Sequence, residues 1–163
     1  YAFDYLQADA MTVMPYLGIE SLAPYFTREG KGIIVGCHSS NPGAKEFQEL
    51  TIDGKKLYEI VAQELIKQHG DNPNCMMFMG ATYPEQLTEI RKIVGDMTFL
   101  VPGVGAQGGS VESFVKAGIN SQNSGLIINA SRSIIFASSG EDFAERAREE
   151  TAKLRHEIKK WRN

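Results

Sequence analysis

A chain of 163 residues, 42% hydrophobic and 23% charged, is long enough for one good core, and its composition is that of an ordinary soluble globular domain rather than a disordered or fibrous chain. Its formal charge of -3 is scattered, so no basic stripe points to nucleic acid and no acidic run to a disordered tail. No apolar stretch approaches the roughly 20 residues that span a bilayer, and Tyr1-Ala2-Phe3-Asp4 lacks the basic and apolar regions of a signal peptide.

The chain starts without a methionine. Tyr1 to Leu6 reads as the tail of a helix, so the chain is expected to be cut from something longer. Ala8 to Val13 follows as a strand that stops at Met14-Pro15-Tyr16-Leu17-Gly18, and Glu20 to Phe26 as a short helix. Gly32 to Cys37 is an apolar run too short for a helix and reads as a fully buried strand, ending in His38-Ser39-Ser40-Asn41-Pro42-Gly43. Lys55 to His69 is a predicted helix with Leu57, Ile60, Val61, Leu65 and Ile66 toward one face. Cys75 to Gly80 is the next strand, and Tyr83 to Val94 the next helix, with Pro84 in its first turn.

Thr98 to Val101 is a strand that stops at Pro102, and four glycines follow within seven residues, with Gln107 the one long polar side chain among them. Ser110 then caps a helix to Gly118 that has Glu112 in its first turn. Strand, glycine-rich loop and helix N-terminus make a recipe for holding an anion, although a plain tight connection has the same pattern. Gly125 to Asn129 is a further strand, with Ala130-Ser131-Arg132-Ser133 and a short stretch, Ile134 to Ala137, after it. The last helix spans about Glu141 to Trp161, with Phe143, Ala147, Leu154, Ile158 and Trp161 on its apolar face and a solvated face from Lys153 to Lys160.

Strands alternate with helices five times, without hairpin turns, which predicts an α/β fold with a covered parallel sheet. Every loop with chemistry follows a strand, and so lies at the face where α/β proteins bind ligands. An open doubly wound sheet and part of a (β/α)8 barrel both fit. The barrel gains weight because its phosphate sites are built from the last two strand-to-helix loops, here Pro102–Gly109 and Ala130–Ser133.

Arg132, just beyond a buried strand, is suited to clasp phosphate oxygens; the bland alternative is a surface pair with Glu141. Ser39, Ser40 and Asn41 can read the edge of a planar ring, or form only a turn. His38 is expected at the rim. Met76, Met77 and Met79 are expected in the core. Cys37 and Cys75, without CxxC spacing or paired histidines, predict buried free thiols in a reducing compartment, hence the cytoplasm, rather than a disulfide or metal site.

Four segments occur in a telling order: Asp9 to Gly18, Cys37 to Ala44, Leu100 to Gly109 and Ile128 to Arg132. Together they resemble orotidine 5′-phosphate decarboxylase, of the subgroup common in bacteria and some protists. The resemblance covers essentially the whole chain, so residues 1–163 are expected to form the C-terminal part of one (β/α)8 TIM barrel, its last five β/α units, with no internal domain boundary.

The resemblance implies decarboxylation of orotidine 5′-phosphate to UMP in pyrimidine synthesis, without metal or organic cofactor, by a homodimer to which a partner contributes one acidic residue. It implies that Gln107 bridges phosphate and pyrimidine, that Arg132 binds the phosphate dianion, that Ser40 hydrogen-bonds the ring edge and that Pro102 lies near the ring. The family's catalytic Asp-x-Lys-x-x-Asp array is expected upstream. Its near miss here, Asp53-Gly54-Lys55, has Tyr58 in the second aspartate's place and opens a helix. No catalytic residue is therefore expected in this chain, and alone it is expected to be inactive. The rival readings are a related sugar-phosphate decarboxylase or epimerase barrel and a non-catalytic nucleotide-binding half-barrel.

Overall fold

The structure, a computed structural model, describes residues 1–104 and 110–162. Tyr1 to Leu6 is not a helix but a single turn, with the Tyr5 and Leu6 amides both donating to the Tyr1 carbonyl. Strand β1 is Ala10–Val13. A 3-10 turn at Ile19–Leu22 runs into the four-residue helix α1, Ala23–Phe26. Strand β2 is Gly32–His38 and α2 is Ala44–Phe47. A small antiparallel hairpin follows, β3 at Thr51–Ile52 and β4 at Lys55–Lys56, before α3 at Leu57–His69. Then come β5 at Cys75–Met79, α4 at Pro84–Val94, β6 at Thr98–Pro102 and α5 at Val111–Gly118. The chain finishes with β7 at Leu126–Asn129, the short α6 at Arg132–Ile135 and α7 at Phe143–Lys160.

The main sheet has the order β1-β2-β5-β6-β7, and every neighbouring pair is parallel. Strand order follows chain order without a reversal. A doubly wound sheet would reverse at a switch point, so the sheet is a sector of a barrel. The strands end at Val13, His38, Met79, Pro102 and Asn129, each within one residue of its expected end.

The core lies between the sheet and its outer helices. Val35, Met77, Phe99 and Val101 meet Ala62 and Leu65 of α3, Leu87 and Ile90 of α4, and Phe114 and Val115 of α5. Each fully buried phenylalanine contributes on the order of 1.5–3 kcal/mol through area removed from water. Along β6 burial alternates, with Phe99 and Val101 toward the helices and Leu100 and Pro102 on the other face. On α3 the buried line is Tyr58, Ala62 and Leu65, turned from the expected one because Tyr58 is drawn inward. On α7, Leu154, Ile158 and Trp161 pack on the core as expected, but Phe143 is exposed.

The hairpin corrects two expectations. Asp53 and Gly54 both have positive φ, 50° and 79°, the geometry of a type I′ turn. Asp53-Gly54-Lys55 therefore closes a hairpin rather than opening a helix. Strands do occur joined by a hairpin turn, outside the parallel sheet.

Candidate functional site

The loops with chemistry all leave the C-terminal ends of the parallel strands. After β2 the chain carries Ser39, Ser40 and Asn41; after β5, Gly80, Ala81 and Thr82; after β6, Gly103 and Val104; after β7, Ala130 to Arg132. Register ties these ends together. Pro102 pairs with Asn129, the Ala81 amide donates to the Pro102 carbonyl at 3.3 Å, and the Gly80 amide donates to the His38 carbonyl at 2.8 Å.

His38 is not a rim residue: it is 1% exposed. Strict alternation would send it to the same face as Ile34 and Gly36. A bulge between Gly36 and His38 shifts the register so that His38 pairs with Met79 of the core layer. Its ring packs edge-on against Tyr58 and Tyr83, with centroids 5.0 Å away from each, and its Nε2 lies 3.3 Å from Glu49 Oε1. Burial lowers its pKa against the opposing pull of Glu49. The imidazole is thus a neutral wall of the core behind the site.

Ser40 sits where the sequence put it, at the strand end and against the next loop. A Cβ on Gly80 would lie 2.7 Å from the Ser40 nitrogen and 2.9 Å from the Ser39 carbonyl carbon, so this close approach requires glycine. The Ser40 Oγ is buried without a hydrogen-bond partner among the described residues. A buried unpaired hydroxyl costs about 1–3 kcal/mol, which a ligand at this end of the sheet can recover. Thr82 Oγ1, in the adjoining loop, is in the same state. Sequence reasoning missed Thr82, although its place just past a buried strand was the available signal.

Pro102 ends β6 on the face turned away from the helices. Gln107, Gly105, Gly108 and Gly109 lie outside the described residues, so the expected phosphate–pyrimidine bridge has no geometry to report. Beyond them Ser110 occupies the N-cap position of α5, with no side-chain cap bond. The first-turn amides of α5 are therefore not satisfied by that hydroxyl. Arg132 is the first residue of α6 and is exposed; among the described residues no ion pair joins it to Glu141. Beside it the Ser131 hydroxyl donates to Asn129 Oδ1 at 3.1 Å.

Both cysteines are buried and free. The Cys37 thiol donates to the Tyr58 carbonyl at 3.2 Å, and burial pushes its pKa up and that of Cys75 up to about 12, so neither is a thiolate nucleophile near neutrality. No group of three or more His, Cys, Asp or Glu side chains suited to a metal occurs among the described residues. No helix among them is long and apolar enough to cross a membrane.

A cavity of about 520 Å³ lies elsewhere, at the end of α3 between Phe26, His69 and Pro73. Among the described residues β1 and β7, the two outer strands of the sheet, each pair on one side only.

Residues 1–147 match the model of the family described as orotidine 5′-phosphate decarboxylase / HUMPS. The chain is 48% identical over 157 residues to an orotidine 5′-phosphate decarboxylase of Cellvibrio japonicus, covering 96% of this chain and 58% of that protein. It is 44% identical over 162 residues to that of Cupriavidus metallidurans, covering 99% and 60%. Among solved structures it is similar to Leishmania donovani UMP synthase, with TM-score 0.86 and 37% identity, covering 99% of this chain and 35% of that one. The Leishmania donovani OMP decarboxylase gives 0.82 and 32%, covering 96% and 60%. The chain spans about three fifths of the length of the curated relatives it matches.

Proposed function

Since the chain belongs to the orotidine 5′-phosphate decarboxylase / HUMPS family, we propose that the intact enzyme carrying it converts orotidine 5′-phosphate to UMP and CO2, and that this chain supplies the loops that grip the phosphate and the pyrimidine. Residues 1–163 form one uninterrupted sector of a single barrel domain. Arg132 holds the phosphate dianion together with the α5 end of the Pro102–Gly109 loop, Gln107 spans phosphate and ring, Ser40 bonds the ring edge and Pro102 flanks it. Loss of CO2 leaves a carbanion on the pyrimidine, which a neighbouring ammonium stabilises and protonates. That lysine and its aspartates belong to the Asp-x-Lys-x-x-Asp array, which this chain does not contain. The phosphate, remote from the reacting carbon, supplies binding energy for closing loops over the site. The enzyme works in the cytoplasm as a homodimer, in keeping with the family resemblance and with two buried free thiols.

The observation that carries this reading is the Ser40 hydroxyl, buried and without a partner among the described residues, at the same sheet end as Pro102 and the Arg132 loop. A sugar-phosphate decarboxylase or epimerase needs the phosphate grip but no group for a ring edge. The test is UMP formation by the purified intact enzyme, with thermal protection compared for UMP and ribose 5-phosphate. UMP production and stronger protection by UMP are expected. Equal protection with no UMP formed would hand the site to a sugar phosphate.

A further inference from the structure

We propose that Gln48 is a positioning residue for the pyrimidine site: its carboxamide fixes the Ser39–Ser40 segment and so sets where the Ser40 hydroxyl meets the ring. This rests on the reading of Ser40 as a pyrimidine contact. Strand β2 ends at His38, and the bulge just before it turns the His38 side chain into the core, so the chain leaves the sheet at Ser39. Gln48 Oε1 accepts the Ser39 amide at 2.8 Å, and its Nε2 donates to Ser39 Oγ at 3.3 Å. Gln48 is itself fixed at both backbone groups: its amide donates to the Ala44 carbonyl at 2.8 Å, and its carbonyl accepts the Tyr58 amide at 3.0 Å. The grip therefore runs from the start of α3, through Gln48, to Ser39.

Gly80 backs the segment through the close approach described above. The carboxamide and the glycine account for Ser39 and for the Ser40 backbone. They leave the Ser40 hydroxyl as the polar group of the segment without a partner among the described residues. Gln48 spends its carbonyl oxygen and one N–H of its carboxamide on Ser39. It touches no ligand in this role and acts only by holding another residue at the distance the ring requires.

The test is a double-mutant cycle in the intact enzyme, with orotidine 5′-phosphate as substrate and inorganic phosphate as a competing inhibitor. Gln48→Met keeps length and loses both bonds, and is expected to lower kcat/KM by about 5- to 10-fold. Gln48→Glu keeps the acceptor for the Ser39 amide and can accept from the Ser39 hydroxyl, so it should stay within about threefold of the native enzyme. In a Ser40→Ala background, Q48M should cost less than about twofold more, because what it positions is gone. Inhibition by phosphate should stay within about twofold throughout.

Additive losses, or an equal loss of phosphate inhibition, would mean that Gln48 merely supports the fold and would overturn the proposal. A loss from S40A with Q48M silent would remove Gln48's role and leave the pyrimidine reading intact. An S40A enzyme as active as the native one would remove that reading, and the positioning role with it. If Q48M does not fold, Ser39→Ala cuts the 3.3 Å bond alone, and its coupling to S40A decides the matter in the same way.

Discussion

Arg132 stands exposed at the head of α6, and among the described residues no ion pair joins it to a carboxylate. In the intact enzyme, Arg132→Ala is expected to lower kcat/KM for the nucleotide by about 2–5 kcal/mol, and Gln107→Ala by less, since a neutral hydrogen bond is worth less than a charge-assisted one. The nucleoside lacking phosphate should react equally with native and Arg132→Ala enzymes; equal losses for both substrates would remove the phosphate role. His38 gives a second measurable quantity. Its pKa is lowered from 6.5 by burial, with Glu49, Tyr58 and Tyr83 facing it. Below 6.5 the unfolded chain binds a proton that the folded chain refuses. This contribution to stability is complete above pH 6.5 and is lost as the pH falls toward and through the lowered value. Urea unfolding at about pH 7.5 and about pH 5.5 should show a smaller difference for His38→Gln than for the native chain. The places of Ser40 and Arg132 just past strand ends were legible because each follows an apolar run that ends abruptly. The inward turn of His38 was not, because a bulge is set by the register of the neighbouring strand and leaves no mark in its own residues. Gln48 escaped for a related reason: its partner is nine residues away across a loop.

Elements differ in how much of their stability is local. The β3–β4 hairpin is exposed and rests on its turn, where Gly54 has φ 79°. Gly54→Val is expected to destabilise by about 1 kcal/mol or more, because an L side chain resists that conformation, and a melting curve should fall by about 2–4 °C. The Asp-Gly pair was a readable hairpin signal, overlooked because the helical pattern after it runs back through Lys55. Arg91 shows the opposite case. From α4 its guanidinium donates to the carbonyls of Gly95, Met97 and Gly118 and lies 3.8 Å from the centroid of the Phe99 ring. It staples α4, the start of β6 and the end of α5 at the sheet end opposite the site. Arg91→Met should cost about 2–3 kcal/mol by denaturant melting without changing KM in the intact enzyme. The sequence analysis did not single out Arg91, because its carbonyl partners include Gly118, 27 residues on.

At the scale of the molecule, alternating apolar runs and helices made the parallel sheet legible, and the barrel rather than an open sheet follows from the strand order. Among the described residues β1 and β7 offer unpaired edges, and Met14, Ile127, Ile135 and Phe136 are exposed. The 163-residue chain by itself is therefore expected to show no decarboxylase turnover and to self-associate with rising concentration, read by light scattering. Turnover by the purified chain, free of host enzyme, would contradict the assignment of proton donation to the Asp-x-Lys-x-x-Asp array.

Strand order that follows chain order also shapes how the molecule is made. As the polypeptide leaves the ribosome, each new strand can dock on the edge left by the one before, and none has to insert between two that are already paired. The sheet grows by accretion, much as a repeat array does. Each loop at the ligand end is then completed by the unit that follows it: Ser40 waits for Gly80, and Gly80, in its turn, is followed by an Ala81 that waits for Pro102. Synthesis delivers Ser40 well before Arg132, so with the roles proposed for them above, a nascent chain gains its grip on the phosphate only after β7 has emerged.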